Sequence, residues 1–136
     1  MVDLSVKARR EDYVDVDFSF RVSPISGDVA LKRDAEAVKQ SVLNILQTAR
    51  GEKPFQPTFG VGLRNYLFEL FDPSIAVLIE EDVTFAIENF EPRLELQSVN
   101  VIDQTDRNGI QITVTGRIRS PEPTPIEISF IVERLR

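Results

Sequence analysis

Residues that could do chemistry are few in this chain of 136 residues, which contains neither histidine nor cysteine. The usual general base, the Ser-His-Asp triad, thiolate nucleophiles, disulfides and most zinc sites therefore cannot be built. A glycosidase needs two carboxylates roughly 5 to 9 Å apart, one of them with a raised pKa. Glu69, between Phe68 and Leu70, comes nearest to a buried acid. We predict no enzymatic activity, no metal and no cofactor.

A second chemically distinctive group is the tripeptide Glu91, Pro92 and Arg93. Proline disfavours helix at the residue before it, so the tripeptide is expected to end a helix. The same rigid proline could also hold one acid and one base at a fixed separation. The planar guanidinium of Arg93 would then suit a carboxylate or backbone carbonyls of a partner. Both interpretations remain open from the residues alone.

The segment between residues 51 and 62 combines backbone breakers with apolar side chains. It contains two prolines and three glycines, too many for a regular element. It also contains Phe55 and Phe59, which flexible linkers lack, so we expect an ordered loop that packs both rings onto the domain or a partner. The pair Gly60 and Gly62 is weak evidence for phosphate binding, since no third glycine follows and no strand leads into it.

Two helices are expected to position these groups. The first covers residues 34–50, with Asp34 as its N-cap and Gly51 at its C-cap, and the second runs from Asp72 and Pro73 to about Phe90. A short helical turn lies between them. The predicted buried positions are Val38, Val42, Ile45, Leu46 and Ala49; Leu63, Tyr66, Leu67 and Leu70; and Ile75, Leu78, Ile79, Val83, Ala86, Ile87 and Phe90. The acidic run of Glu80, Glu81 and Asp82 indicates a solvated face or a contact to a basic partner.

The remaining elements are predicted to be strands. Apolar residues alternate over 14–20, and again after residue 94 with a change of phase near Gln97 and Ser98 that indicates a bulge. Asn108 and Gly109 predict a hairpin, Gly116 a weak point or close approach, and three prolines from 121 to 125 a stiff connection. The alternating residues of the last strand are Ile126, Ile128, Phe130 and Val132. The order favours a single α+β domain over residues 13–136, after a flexible tail of residues 1–12.

Charge and hydropathy exclude several partners. The formal net charge is -6, and the small basic group at Lys7, Arg9 and Arg10 is followed at once by two acids, so we expect no nucleic-acid binding. No stretch approaches the ~20 apolar residues of a membrane span, and the first residues lack the apolar core of a signal peptide. We therefore expect no membrane partner and folding in the cytosol of the producing cell.

Taken in order, the short motifs resemble the baseplate wedge family of contractile phage tails, the gene-twenty-five-like family, which has a similar member in type VI secretion baseplates. The resemblance covers about residues 13–133. The matching residues are Asp17, Phe18, Ser19, Arg50, Gly51, Glu52, Pro54, Phe55, Gly60, Gly62, Leu63, Phe68, Glu69, Phe71, Glu91, Pro92 and Arg93.

The resemblance implies a structural protein similar to the conserved core of tail sheath subunits, with two main helices packed on a mixed or antiparallel sheet. It implies copies in multiples of six, in the virion tail baseplate, assembled in the host cytoplasm. The implied partners are other wedge subunits, the tail sheath protein, and the tail tube or hub. The residues expected to bind partners are Glu91, Pro92, Arg93, Arg50, Glu52, Phe55, Gly60 and Gly62. We expect Arg93→Ala to fold normally and to fail to join the wedge.

The last strand suggests how a sheath could begin. Its alternation ends near the chain terminus, which favours a sheet edge, and an open edge can receive a strand from another chain. We expect a terminal arm of the first-ring sheath subunit to pair there, along Ile126, Ile128, Ser129, Phe130 and Val132. The alternatives are a tailocin or type VI secretion baseplate component, a generic adaptor, and a lysozyme-like glycosidase, a label that some members of the family carry.

Overall fold

The computed structural model describes residues 14–16, 31–33, 35–120 and 123–133, and these form an α+β domain. The helices are α1 (Ala35–Gln47), α2 (Leu63–Tyr66) and α3 (Pro73–Phe90), with a 3-10 turn at Thr105–Arg107. The strands are β1 (Val14–Val16), β2 (Leu31–Arg33), β3 (Leu94–Gln104), β4 (Gly109–Ile118) and β5 (Thr124–Glu133). The predicted tail of residues 1–12, residues 17–20 of the first predicted strand, Asp34 and Pro121 lie outside these ranges.

The larger sheet is antiparallel, in the order β3-β4-β5. Its register shifts between Leu96 and Ser98, which confirms the predicted bulge. The hairpin before β4 turns through Asn108, whose φ of 52° is the left-handed conformation that asparagine tolerates. Gly116 lies opposite the bulge, where an added Cβ would stand 2.6 Å from the Glu95 carbonyl oxygen, so this glycine permits a close approach of two strands.

Helix α3 begins and ends where local chemistry predicts. The Asp72 carboxylate accepts a hydrogen bond of 2.9 Å from the Ile75 N–H, and Pro73 occupies the first turn. The helix ends at Phe90, directly before Glu91 and Pro92. Its buried side chains are Ile79, Val83, Ala86 and Ile87. Leu78, predicted to be buried, is instead 47% exposed, because it lies on the same side of the helix as the exposed Phe85, two turns further on.

Helix α1 ends earlier than predicted. Its stripe of Val38, Val42, Ile45 and Leu46 is buried as expected. The helix stops at Gln47, and the Ala49 N–H donates to the Glu52 carboxylate at 2.9 Å instead of continuing the helical pattern. Gly51 is therefore not the C-cap: it lies four residues beyond the helix, in a turn, with φ of 82°.

The core lies between α1, α3 and one face of the β3-β4-β5 sheet, and the short antiparallel pair β1–β2 contacts α1. Strand β2 was not predicted from the sequence. The opposite face of the sheet is polar: Gln104 donates to Gln111, and Gln111 donates to Ser129. One apolar and one polar face is the usual pattern of an antiparallel sheet covered by helices on one side. Within the described ranges, no helix is long and apolar enough to cross a membrane.

Candidate partner-binding surfaces

The corner formed by Glu91, Pro92 and Arg93 joins the end of α3 to the start of β3. Arg93 Nε and Nη2 donate to the two oxygens of the Glu91 carboxylate, each at 2.7 Å. The Arg93 carbonyl accepts a bond of 2.8 Å from the Arg119 N–H, just beyond β4. The guanidinium is therefore held in one orientation by a two-point contact to a carboxylate two residues away.

Glu91 is an unusual carboxylate, since it is the only charged residue among the buried ones in the described part of the chain, at 1% exposure. Burial by itself raises the pKa of Glu91, but hydrogen bonds from Arg93 and from Ser41 on α1 outweigh it and leave that pKa below its ordinary value. The Arg93 side chain keeps 24% of its surface exposed. Glu91 is thus buried in the domain and positions Arg93, whose side chain is partly exposed.

That geometry changes one expectation. Removing the guanidinium in Arg93→Ala would leave the buried Glu91 carboxylate without its charged partner, a change that costs stability. We therefore no longer expect Arg93→Ala to fold with full stability. The three residues end α3, as the helix-stop interpretation predicted, and also hold one acid and one base at a fixed separation; the contact of Arg93 with a partner stays a prediction.

Arg50 and Glu52 make contacts within the chain. Arg50 Nη2 lies 3.2 Å from an Asp82 carboxylate oxygen, and the other oxygen accepts a 2.5 Å bond from the Tyr66 hydroxyl. Burial and this bond raise the pKa of Tyr66 to about 12. Glu52 accepts a bond of 2.9 Å from the Ala49 N–H. Asp82, part of the acidic run expected to be solvated, thus ties α3 to α2 and to the loop that follows α1, a role that its spacing did not reveal.

Residues 48–62, here called the glycine loop, are fixed by backbone contacts. The Val61 N–H donates to the Thr48 carbonyl at 3.0 Å and the Gly51 N–H donates to the Pro57 carbonyl at 2.9 Å. Gly60 has φ of 97°, and a Cβ there would overlap the Thr48 carbonyl oxygen. A glycine is therefore required where the two ends of the loop close. Gly62 has a negative φ and precedes α2.

The two aromatic residues of the glycine loop point in different directions. Phe59 packs edge-on against Phe90, with ring centroids 5.0 Å apart, and the Lys53 ammonium lies 4.3 Å from its ring centre. Phe55 is fully exposed and has φ of 65°, a strained value for a residue with a large side chain. Both rings were predicted to pack onto the domain or a partner: Phe59 packs onto the domain, whereas Phe55 does not, so the contact of Phe55 with a partner stays a prediction.

The segment after α2 shows a similar division. Leu63 and Leu67 are buried as predicted. Phe68 and Leu70 are 87% and 90% exposed, so the predicted contact of Leu70 with the domain is wrong. Phe68 lies at the rim of an 810 Å³ groove that also borders the end of β5. Helical spacing predicted contacts for the apolar residues of this segment but did not show which of them are exposed.

Strand β5 is an edge strand of the β3-β4-β5 sheet, as predicted. Ile126 and Ile128 are buried against the core, while Phe130 and Val132 are half-buried. The Val132 carbonyl oxygen is directed at β4, because it lies 2.5 Å from where a Gly109 Cβ would stand. Backbone groups alternate in direction along a strand, so the Ser129 N–H points away from β4, toward the side on which the described residues supply no further strand.

The acids do not form a glycosidase site in the described part of the chain. Glu69, the nearest candidate from the sequence, is exposed. The buried acid is Glu91, whose pKa is lowered by its charged partner, whereas a general acid for glycoside cleavage needs a raised one. The same residues contain no group of three or more acids placed to hold a metal ion.

The fold and these surfaces together define a small α+β domain in which the residues singled out above either stabilise the fold through intrachain contacts or are exposed. Residues 32–122 match the family described as "Baseplate wedge protein gp25". The baseplate wedge protein gp25 of Enterobacteria phage T4 is 35% identical over 94 residues, 69% of this chain and 70% of that protein. The chain belongs to this family of baseplate wedge proteins.

Solved structures show the same fold. A protein of Geobacter sulfurreducens, named as a candidate tail lysozyme, is 30% identical with a TM-score of 0.59, over 71% of this chain and 89% of its own. A chain of the anti-feeding prophage baseplate reaches a TM-score of 0.62 at 23% identity, over 85% of this chain and 84% of its own.

Proposed function

We propose that this chain is a structural, non-enzymatic subunit of the baseplate of a contractile injection machine, where it joins other wedge subunits around the tube. The observation that carries the proposal is the Glu91–Arg93 corner: a buried carboxylate holds in one orientation a guanidinium whose side chain keeps 24% of its surface exposed. A fixed planar fork is suited to a carboxylate or to the carbonyls at a helix end of another chain. The family to which the chain belongs supplies the setting.

Three further parts of the proposal follow from the family. Six-fold copies, a place in the virion tail, and assembly in the host cytoplasm are expected for a phage baseplate subunit, with the tube or hub as a further neighbour. The exposed rings of Phe55 and Phe68 would enter apolar pockets on those neighbours. A tailocin or type VI secretion system would use the same surfaces, and a sheath, tube or spike gene beside this one would identify the machine.

The test of the wedge contact must separate binding from folding. Replacing both charges in Glu91→Leu/Arg93→Met leaves no unpaired buried charge, so we expect a folded chain, because such double replacements are often neutral. We expect this variant to be lost from pull-downs with purified neighbouring wedge subunits. The matched control is Glu95→Leu/Arg117→Met, which removes an exposed acid and an exposed base from β3 and β4. Wild-type binding by the double corner variant would refute the wedge contact.

The second part of the proposal is that the domain resembles a sheath subunit and starts the first sheath ring. An incoming sheath strand would pair with the outward backbone groups of β5, while Ile126 and Ile128 keep the sheet packed beneath it. The exposed position of Ser129 and the direction of its N–H support this pairing.

Ser129→Pro removes that N–H, and Ser129→Ala is the matched control that keeps it. We expect tails carrying Ser129→Pro to contain wedges and tube without sheath, and tails carrying Ser129→Ala to have normal sheath. Electron micrographs of purified tails would distinguish the two. Normal sheath on tails that carry Ser129→Pro would rule out strand addition at β5.

A further inference from the structure

The outer face of α3 presents an apolar stripe between acids. Val77 and Phe85 are 52% and 58% exposed and border a shallow groove of 460 Å³. The groove is completed by Thr84 and by the three carboxylates of Glu80, Glu81 and Glu88. These positions recur every three or four residues and lie opposite the stripe that packs on the sheet. The groove therefore extends along about three turns of the helix, roughly 16 Å at 1.5 Å per residue.

The exposed apolar surface is not required by the fold. The other face of α3 already supplies the buried contacts, through Ile79, Val83 and Ile87. Exposed apolar residues that are contiguous and rimmed by polar ones mark interaction sites more often than residues scattered singly. Phe85, the larger and more exposed of the two apolar residues, is the natural candidate for the dominant contact, because aromatic residues lead at such sites.

The charge of this face restricts what can cover it. Helix α3 contains no lysine or arginine. Asp82 is paired with Arg50, but within the described residues no cation pairs with Glu80, Glu81 or Glu88. Nucleic acids and anionic lipids would be repelled. A second copy of the same face would bring like charges together, which costs energy at an interface.

We propose that the outer face of α3 binds an amphipathic helix of another protein, in which an apolar stripe is flanked by lysine or arginine. The apolar stripe would cover Phe85 and Val77, and the flanking cations would meet the glutamates on both sides of the groove. About three turns of the partner would match the length of the groove. This site is separate from the Glu91–Arg93 corner and from β5, so it adds a third contact surface to the domain.

The experiment uses the full chain and a synthetic helical peptide of about 14 residues, with leucines on one face and lysines beside them. Fluorescence anisotropy of the labelled peptide gives the Kd, and amide chemical shifts of the ¹⁵N-labelled chain map the site. We expect saturable binding with shifts centred on residues 77–88. Phe85→Ala should weaken it about tenfold, as loss of a central aromatic contact does.

Charge placement is tested by two variants of equal net charge. Glu81→Lys/Glu88→Lys should abolish binding, while Glu95→Lys/Glu127→Lys, which reverses two exposed acids on the sheet strands, should leave it nearly unchanged. Equal weakening by both variants would show attraction to net charge alone and would overturn the proposal. So would the absence of saturable binding, shifts centred elsewhere, or self-association of the wild-type chain through residues 77–88.

Discussion

The Glu91–Arg93 corner and the glycine loop present residues outward in different ways. In the corner, the group that faces outward also neutralises a buried carboxylate, so folding and presentation depend on the same ion pair. In the loop these roles belong to different residues. Gly60 lets the ends of the loop close and Phe59 packs on Phe90, while Phe55 extends into solvent. Single substitutions in the corner, which leave one charge unpaired, should therefore change stability and binding together, whereas substitutions in the loop should separate them.

The largest effect is expected for Glu91→Ala. The change removes both hydrogen bonds to the Arg93 guanidinium and leaves a cavity where a side chain with only 1% exposure stood. We expect the free energy of unfolding to fall by about 3–5 kcal/mol, as for the loss of one member of a buried ion pair. Urea denaturation measures it. Glu95→Ala, an exposed acid on β3, is the control and should change stability by less than about 0.5 kcal/mol.

The glycine loop has its own sensitive position, at Gly60. Gly60→Ala combines a positive φ with an overlap between the new methyl group and the Thr48 carbonyl, and we expect a loss of about 2–3 kcal/mol. Gly51→Ala is the matched comparison, because its φ is also positive but no atom lies within 4 Å of the added Cβ. It should lose only about 1 kcal/mol. Equal losses in urea denaturation would show that the overlap relaxes freely.

Acid should weaken the corner. Because the pKa of Glu91 is lowered in the folded chain, its contribution to stability is complete above its unfolded pKa of about 4.3 and is lost as the pH falls through the folded pKa. The urea midpoint of the wild type should therefore fall more steeply below about pH 4.3 than that of Glu91→Leu/Arg93→Met. Parallel curves would mean that the ion pair does not stabilise the fold.

The smallest change in stability is expected at the tip of the loop. Phe55→Gly removes a fully exposed ring and relieves a positive φ, so stability should be unchanged or higher by up to about 1 kcal/mol. Binding to neighbouring subunits should nevertheless weaken. Phe59→Ala should lower stability, because it loses the contact with Phe90, and should leave binding to neighbouring subunits unchanged. Unchanged binding by Phe55→Gly in a pull-down would show that Phe55 contacts no partner.

Short-range chemistry predicted much of the fold. The start of α3 at Asp72 and Pro73, the turn at Asn108, and the bulge beside Ser98 all depend on residues within a few positions of one another. The end of α1 was predicted too late, because the Ala49 N–H is taken by the Glu52 carboxylate, which the helical spacing does not reveal. Strand β2 was not predicted, because its three residues are too few to show the alternation of apolar and polar side chains that indicates a strand.

The surfaces were harder to predict than the elements. The sequence does not show whether an apolar residue in a loop is buried or exposed: Leu70 was expected to contact the domain and is exposed, and Phe55 could not be assigned to the domain or to a partner. The burial of Glu91 depends on Arg93 and on Ser41 of a distant helix, a meeting that only the tertiary structure creates. Family motifs marked the Glu91–Arg93 corner, but the orientation of each charge within it could not be read from spacing.

A reconstruction of the assembled tail, at a resolution that shows side chains, tests the central proposal most directly. The account predicts this chain in the baseplate, with Arg93 against a wedge subunit and a sheath strand paired along β5 at Ser129. A chain whose Arg93 faces solvent in the assembly, or whose contacts with sheath are made only through loops and side chains, would contradict it.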